Sequence, residues 1–210
     1  MIVAISGLIG TGKSTLVSKL ANNNGYTVFE EPVDSNPFLS DYYKNPSRWS
    51  FTLQVYYLWE RYKQMQEACM RSMRGETVIL DSTLYSDLAF AILQYNAGYF
   101  RADEYETYIN MNKIVASQTA YPELLIWLDL SAEKTLERIN SRSRECESNI
   151  PLSYLKDLRR SYDKVFEKLR KRTDIVTVDA TADANTVYES VNKIINSYIE
   201  KFNENSIDYI

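Results

Sequence analysis

A chain of 210 residues, 45% of them hydrophobic, can bury a substantial core, and the length fits one α/β domain spanning 1–210. Its net charge of −4, with both signs interspersed, builds no basic field and argues against a nucleic-acid polymer as partner. The complete absence of histidine excludes Ser-His-Asp and Cys-His chemistry, so a base working near neutral pH must be a carboxylate, Lys, Tyr or Cys.

Taken in order, the chain opens on an apolar, β-branched run, Ile2-Val3-Ala4-Ile5, which reads as a strand. Gly7-Leu8-Ile9-Gly10-Thr11-Gly12-Lys13-Ser14 follows and fits the P-loop pattern G-x-x-x-x-G-K-[ST]. The amphipathic run Ser14 to Leu20 then supplies the helix that the motif requires. Backbone N–H groups from Gly7 through Thr15 are expected to cradle the phosphates of a nucleoside triphosphate such as ATP. Lys13 would reach the β/γ-phosphates and Ser14 would hold Mg²⁺ at the helix N-terminus.

Gly25 reads as a left-handed helix cap, and Tyr26 to Phe29 as a second strand ending in Glu30-Glu31-Pro32-Val33. Pro32 biases Glu31 to extended geometry, which holds its carboxylate at a strand's carboxyl end, where open α/β sheets place ligands. Asp34-Ser35-Asn36-Pro37 is turn chemistry, Phe38 to Tyr43 a short helical piece, and Asn45-Pro46 another turn. A long helix is predicted from Ser47, its N-cap, to about Met73. Gln54 and Arg61 lie seven apart on it, so both can face one cavity, while the aromatics from Trp49 to Tyr62 read mostly as core.

Thr77 to Asp81 is a buried-strand pattern ending in a carboxylate placed for Mg²⁺, and Ser82-Thr83 caps a helix to about Asn96 with Asp87 in its first turns. A helix from about Arg101 to Thr119 precedes a strand at Leu124 to Asp129. The next helix runs from Ala132 to about Ser141; its end and the loop beyond it carry Arg138, Arg142 and Arg144, guanidinium forks suited to closing over a transferring phosphoryl group. Pro151 starts a further amphipathic helix, Asp174 to Asp179 is the fifth strand, and Asp183 to about Phe202 a closing helix. Strands alternating with helices predict a five-stranded parallel sheet with helices on both faces.

The order and spacing of Gly7 to Ser14, Glu31-Pro32-Val33, Asn45-Pro46 with Trp49 and Gln54, Asp81 to Asp87, and Glu137-Arg138-Ile139 through Arg142-Ser143-Arg144 to Pro151-Leu152 resemble the deoxyribonucleoside kinases nearly end to end. The resemblance implies a P-loop kinase fold with an arginine-containing lid at about 138–150. It implies ATP-dependent, Mg²⁺-requiring phosphorylation of a deoxynucleoside, a purine deoxynucleoside or deoxycytidine, at its 5′-hydroxyl. Glu31 would be the general base, and Lys13, Arg142 and Arg144 would act on the phosphates. Tyr43 and Glu147 would hold the sugar 3′-hydroxyl, Gln54, Arg61 and Asp87 would read the base, and Phe90 would stack on it. Ser14 and Asp81 are the expected metal residues, and a cytoplasmic homodimer that touches no membrane is the expected form. One departure stands out, because Ser82 occupies the position of a family arginine near the transferring phosphate. A nucleoside-monophosphate kinase, or a nucleotide-binding protein with impaired chemistry, is the alternative. The first needs an extra cation, with Arg61 the candidate.

Overall fold

The computed structural model describes residues 1–33, 35–142 and 150–207, the last five by backbone alone. Asp34, Arg144, Cys146 and Glu147 lie outside the described residues, as does most of the expected lid.

Five strands form the sheet: β1 (Ile2–Gly7), β2 (Thr27–Phe29), β3 (Val78–Asp81), β4 (Leu124–Asp129) and β5 (Asp174–Asp179). They pair in the order β2-β3-β1-β4-β5, every pairing parallel, with β1 at the centre. Between and after them run α1 (Lys13–Asn24), α2 (Leu39–Lys44), α3 (Pro46–Met73), α4 (Leu84–Asn96), α5 (Ala102–Ser117), α6 (Ala132–Arg142), α7 (Leu152–Leu169) and α8 (Ala184–Ile207).

The period-2 alternation of the strands sorts the core into two layers. Val3, Ile5, Ile126 and Leu128 face Leu16, Val17 and Leu20 of α1 and Val191 and Ile195 of α8. Ala4, Leu125 and Trp127 face the opposite way, onto Leu84 of α4, Tyr108 of α5 and Tyr162 and Phe166 of α7. β1, β3 and β4 are buried almost throughout, as a parallel sheet covered on both faces requires.

Two sequence expectations change. The N-cap of α3 is Asn45, not Ser47: its side chain accepts the Arg48 N–H at 3.3 Å and Pro46 takes the first helical position, where a missing N–H costs nothing. The aromatics of that helix from Trp49 to Tyr62 are also not mostly core, since Tyr57 is the one among them that is buried. Leu53, Tyr57, Leu58, Met65 and Ala68 are buried, and Ser50, Gln54 and Arg61 share their stripe, whereas Trp59 is 57% exposed and Met70 and Met73 face solvent. No described helix is long and apolar enough to cross a membrane.

Candidate active site

The phosphate loop is built by its neighbours. β1 ends at Gly7, where an added Cβ would lie 2.6 Å from Thr11 Oγ1 and 3.2 Å from the Leu128 carbonyl, so only glycine fits. Gly12, at φ 94°, turns the chain into α1 in a left-handed conformation that side chains resist. Lys13 folds back over the loop, its Nζ donating to the Gly7 and Leu8 carbonyls at 3.1 Å each. The carbonyl of Leu8 also accepts from the Thr11 hydroxyl and N–H, which stiffens the turn.

Parallel pairing brings the ends of three strands to this loop. Ile5 of β1 lies opposite Asp81 of β3, and Phe29 of β2 opposite Leu80, so Glu31 projects just beyond the same carboxyl edge. Ser14 Oγ donates to Asp81 Oδ2 at 3.0 Å, and the other, buried Asp81 oxygen has no hydrogen-bond partner. One carboxylate with a free oxygen beside a hydroxyl is a hard-oxygen donor set that fits Mg²⁺ completed by substrate phosphates. Among the described residues no cluster of three acidic, His or Cys ligands offers an all-protein cage.

Thr83 caps α4, accepting the Tyr85 N–H at 3.3 Å while its own N–H donates to Ser86 Oγ at 3.3 Å. This cap fixes the turn that carries Asp87. Ser82, just before it, stands at φ 69° with its N–H on the Ile5 carbonyl at 3.0 Å, a backbone geometry that nothing in its sequence signals.

These elements enclose a cleft of about 1000 Å³, its open mouth included. Gly10, Gly12, Lys13, Ser14 and Thr15 of the phosphate loop and its helix line it, as does Arg142, from the last turn of α6. Glu31, Ser82, Tyr43, Gln54, Asp87 and Phe90 line the same cleft, with apolar Val33, Leu53 and Tyr57. Phe90 is held edge-on by Tyr162 at 6.3 Å between ring centroids.

Two arginines depart from expectation. Arg61 is 3% exposed and stands behind the cleft wall, not in it: its Nε donates to Asp87 Oδ2 at 3.3 Å, Nη2 to Glu31 Oε1 at 3.2 Å and Nη1 to Gln64 Oε1 at 3.0 Å. Arg138 turns to the other side of the loop, donating to the Thr11 carbonyl at 3.4 Å and the Ala180 carbonyl at 2.9 Å, where it lines a second cavity with Gly12, Thr15 and Asp183.

Burial pushes the Asp87 carboxyl up from an ordinary 3.8 to about 7; Arg61 opposes the rise and Glu31 adds to it. For Arg61 burial alone would lower the guanidinium, but Asp87 and then Glu31 outweigh that and raise it, so it stays charged. A carboxyl raised on folding makes the folded state hold its proton longer than the unfolded chain does. The stability this contributes is therefore full below about pH 4 and lost as pH rises to about 7. Asp87→Asn removes the titration. Thermal melts at pH 5 and pH 8 are expected to show the wild type losing ground to the variant at the higher pH, on the order of several degrees. A gap that does not change with pH would mean that Arg61 keeps Asp87 ionised throughout.

The sequence reading missed Gln94, Tyr42 and Tyr154, which all line the cleft. Gln94 is buried with Oε1 unpaired, as is Gln54 Oε1, so each leaves an acceptor at the wall. Gln94 lies seven residues after Asp87, the same two-turn spacing that links Gln54 to Arg61, and that spacing was the available signal. Tyr42 and Tyr154, 112 residues apart, join by their hydroxyls at 3.2 Å, and no local pattern marks that contact.

A parallel sheet with a glycine-built phosphate loop on its central strand, opening on a cleft lined by the carboxylates Glu31 and Asp87, defines a P-loop kinase. The chain belongs to the deoxynucleoside kinase family, whose sequence profile matches residues 3–203. It is 36% identical over 178 residues to a deoxyadenosine kinase of Dictyostelium discoideum, covering 84% of this chain and 71% of that one. It is 35% identical over 195 residues to a deoxyguanosine kinase of the same organism, covering 91% and 68%. Among solved structures, deoxyadenosine kinase from M. mycoides with the products dCMP and dCDP superposes with a TM-score of 0.83 at 31% identity, covering 94% of this chain and all of that one. The protein is thus a transferase that phosphorylates a nucleoside hydroxyl.

Proposed function

We propose that this chain transfers the γ-phosphoryl group of ATP to the 5′-hydroxyl of a purine deoxynucleoside or deoxycytidine, feeding nucleotide salvage. The observation that carries the reading is one cleft lined together by Lys13 of the phosphate loop, the carboxylate of Glu31 and the buried pair Gln54 and Asp87. In phosphoryl transfer the protein supplies alignment and charge neutralisation more than covalent chemistry, and these groups are a sufficient set.

Glu31 accepts the proton of the attacking hydroxyl, and Lys13 and Arg142 face the oxygens of the transferred group. Ser14 and Asp81 would hold Mg²⁺, which when bound neutralises charge on the phosphate oxygens. Gln54 and Asp87 pair with the base edge, Phe90 packs on its face, and Tyr43 takes the sugar. Arg144 and Glu147 keep the lid and 3′-hydroxyl roles that the resemblance implies. The second cavity, on the far side of the loop beside Arg138, suits the remainder of the donor, so donor and acceptor approach the loop from opposite sides.

Relatives named for deoxyadenosine and deoxyguanosine, and a structural neighbour solved with dATP, with dCTP or with dCMP, support a purine or cytosine acceptor. The monophosphate-kinase alternative needed Arg61 as a cation for the acceptor's phosphate, and that guanidinium is engaged behind the wall. The impaired-enzyme alternative rests on Ser82, yet Lys13 and Arg142 bring cations to the cleft that Ser82 lines.

Transfer from ATP and Mg²⁺ to each of the four deoxynucleosides and their monophosphates tests the reading. Turnover is expected with one or more of deoxyadenosine, deoxyguanosine and deoxycytidine and with no monophosphate; turnover confined to monophosphates would overturn it. The exposed face of α3 at Trp59, Met70 and Met73 fits the expected homodimer, which sedimentation of the active preparation reads directly.

A further inference from the structure

We infer that Arg61 is a positioning residue that links the base-reading carboxylate Asp87 to the general base Glu31, so that a correctly paired base is felt at the reacting end of the nucleoside. The inference rests on the kinase reading and deepens it.

The geometry is a frame. One guanidinium has five donors in a fixed plane, and here Nε binds Asp87 at 3.3 Å while Nη2 binds Glu31 at 3.2 Å. Nη1 binds Gln64 Oε1 at 3.0 Å, and Gln64 Nε2 in turn donates to the Glu30 carbonyl at 2.9 Å. Arg61 is therefore tied to the Glu31 side chain and, through Gln64, to the backbone that carries it. Asp87 and Glu31 both reach the cleft, whereas Arg61 does not line it, so the link runs behind the wall and survives whatever fills the cavity.

The ionisable groups facing this frame are Tyr57 from α3, Asp81 at the end of β3, Asp87 from α4, Tyr108 from α5 and Tyr162 from α7. Burial raises all three tyrosines and keeps them neutral, so the anions at this cation are carboxylates: Glu31 and Asp87 in direct ion pairs, and Asp81 acting on it electrostatically. A base that donates a hydrogen bond to Asp87 takes up part of that carboxylate's acceptor capacity. Arg61 then leans its charge on Glu31, which holds the carboxylate ionised and aimed at the 5′-hydroxyl. A base that leaves Asp87 unpaired keeps the guanidinium shared, and discrimination falls on kcat as well as on KM.

The test is the pH dependence of kcat and KM for the best deoxynucleoside in the wild type, Arg61→Gln and Arg61→Lys. Removing a cation within hydrogen-bond reach of Glu31 is expected to raise the acid limb of kcat by about one pH unit or more. It is also expected to lower kcat about tenfold or more, with KM changed less than about threefold. Arg61→Lys, which keeps the charge but cannot span both carboxylates, should recover the limb in part. If Arg61→Gln fails to fold, Arg61→Gln/Asp87→Asn removes both charges of the pair and should still raise the acid limb, by less than the single variant because loss of the Asp87 anion offsets part of the loss of the nearer cation. A rise in KM alone, with kcat and the limb of the wild type retained, would reduce Arg61 to a structural or base-binding role and overturn the inference. A wild type that phosphorylates no deoxynucleoside would instead overturn the kinase reading.

Discussion

Glu31→Gln is expected to abolish deoxynucleoside phosphorylation to within about one part in a thousand, inside the 10²–10⁴ range by which a positioned general base contributes. The substitution keeps shape and hydrogen-bonding atoms but removes the proton acceptor, and with no histidine in the chain no neighbouring imidazole can take over. Binding should survive, because Gln54, Asp87 and Phe90 still line the cleft when the Glu31 carboxylate is replaced by an amide. A fall in kcat with KM held is therefore the expected form of the loss. Folding should survive too. Glu31 is about a quarter exposed, and Arg61 keeps Asp87 and Gln64 as partners when the carboxylate is gone. With one buried cation left to one carboxylate, Asp87 should ionise more readily in the variant, since Glu31 contributes to its raised position. Turnover within tenfold of the wild type would show that the proton leaves by another route and that Glu31 serves only to hold Arg61.

How much of this was readable beforehand divides along the range of the interactions. The phosphate loop, the five strands and the carboxylates at strand ends follow from short patterns: a β-branched run, glycines at fixed offsets, and an acid where a strand stops. Glu31 was placed by Pro32 and Asp81 by the end of Thr77 to Leu80, and the sheet brings both to the loop. What failed to read required knowing neighbours. Helical spacing put Gln54 and Arg61 on one face correctly, yet it could not tell that Gln54 reaches the cavity while Arg61 stops at two carboxylates, 30 and 26 residues away in sequence. Arg138 belonged by pattern to a cluster of three phosphate-seeking arginines, but the Thr11 and Ala180 carbonyls draw it to the other side of the loop. Aromatic content suggested core for Trp59, and the buried stripe instead admits Ser50, Gln54 and Arg61, because a binding cavity needs polar atoms where a plain core would not. The strand order β2-β3-β1-β4-β5 lay beyond periodicity altogether.

Lys13→Ala is expected to lower kcat/KM for ATP by about a thousandfold, equivalent to about 4 kcal/mol of transition-state stabilisation. Lys13 Nζ sits 3.1 Å from two loop carbonyls, and bound phosphate offers the ammonium a charged acceptor in place of neutral ones. Charge builds on the leaving β-phosphate oxygen as its bond to the γ-phosphoryl group breaks, so the larger share of the loss should fall on kcat. The melting temperature should change little. The Leu8 carbonyl that loses the ammonium still accepts from Thr11, and the bend of the loop is set by Gly7 and Gly12 rather than by Lys13. Lys13→Arg probes the point-charge argument, because a planar fork cannot occupy the compact position between two adjacent carbonyls and is expected to recover little of the rate. A Lys13→Ala variant whose KM for ATP rises while kcat is retained would assign the residue to binding alone. The cation acting on the transferred group would then have to be Arg142, the other basic side chain lining the cleft among the described residues.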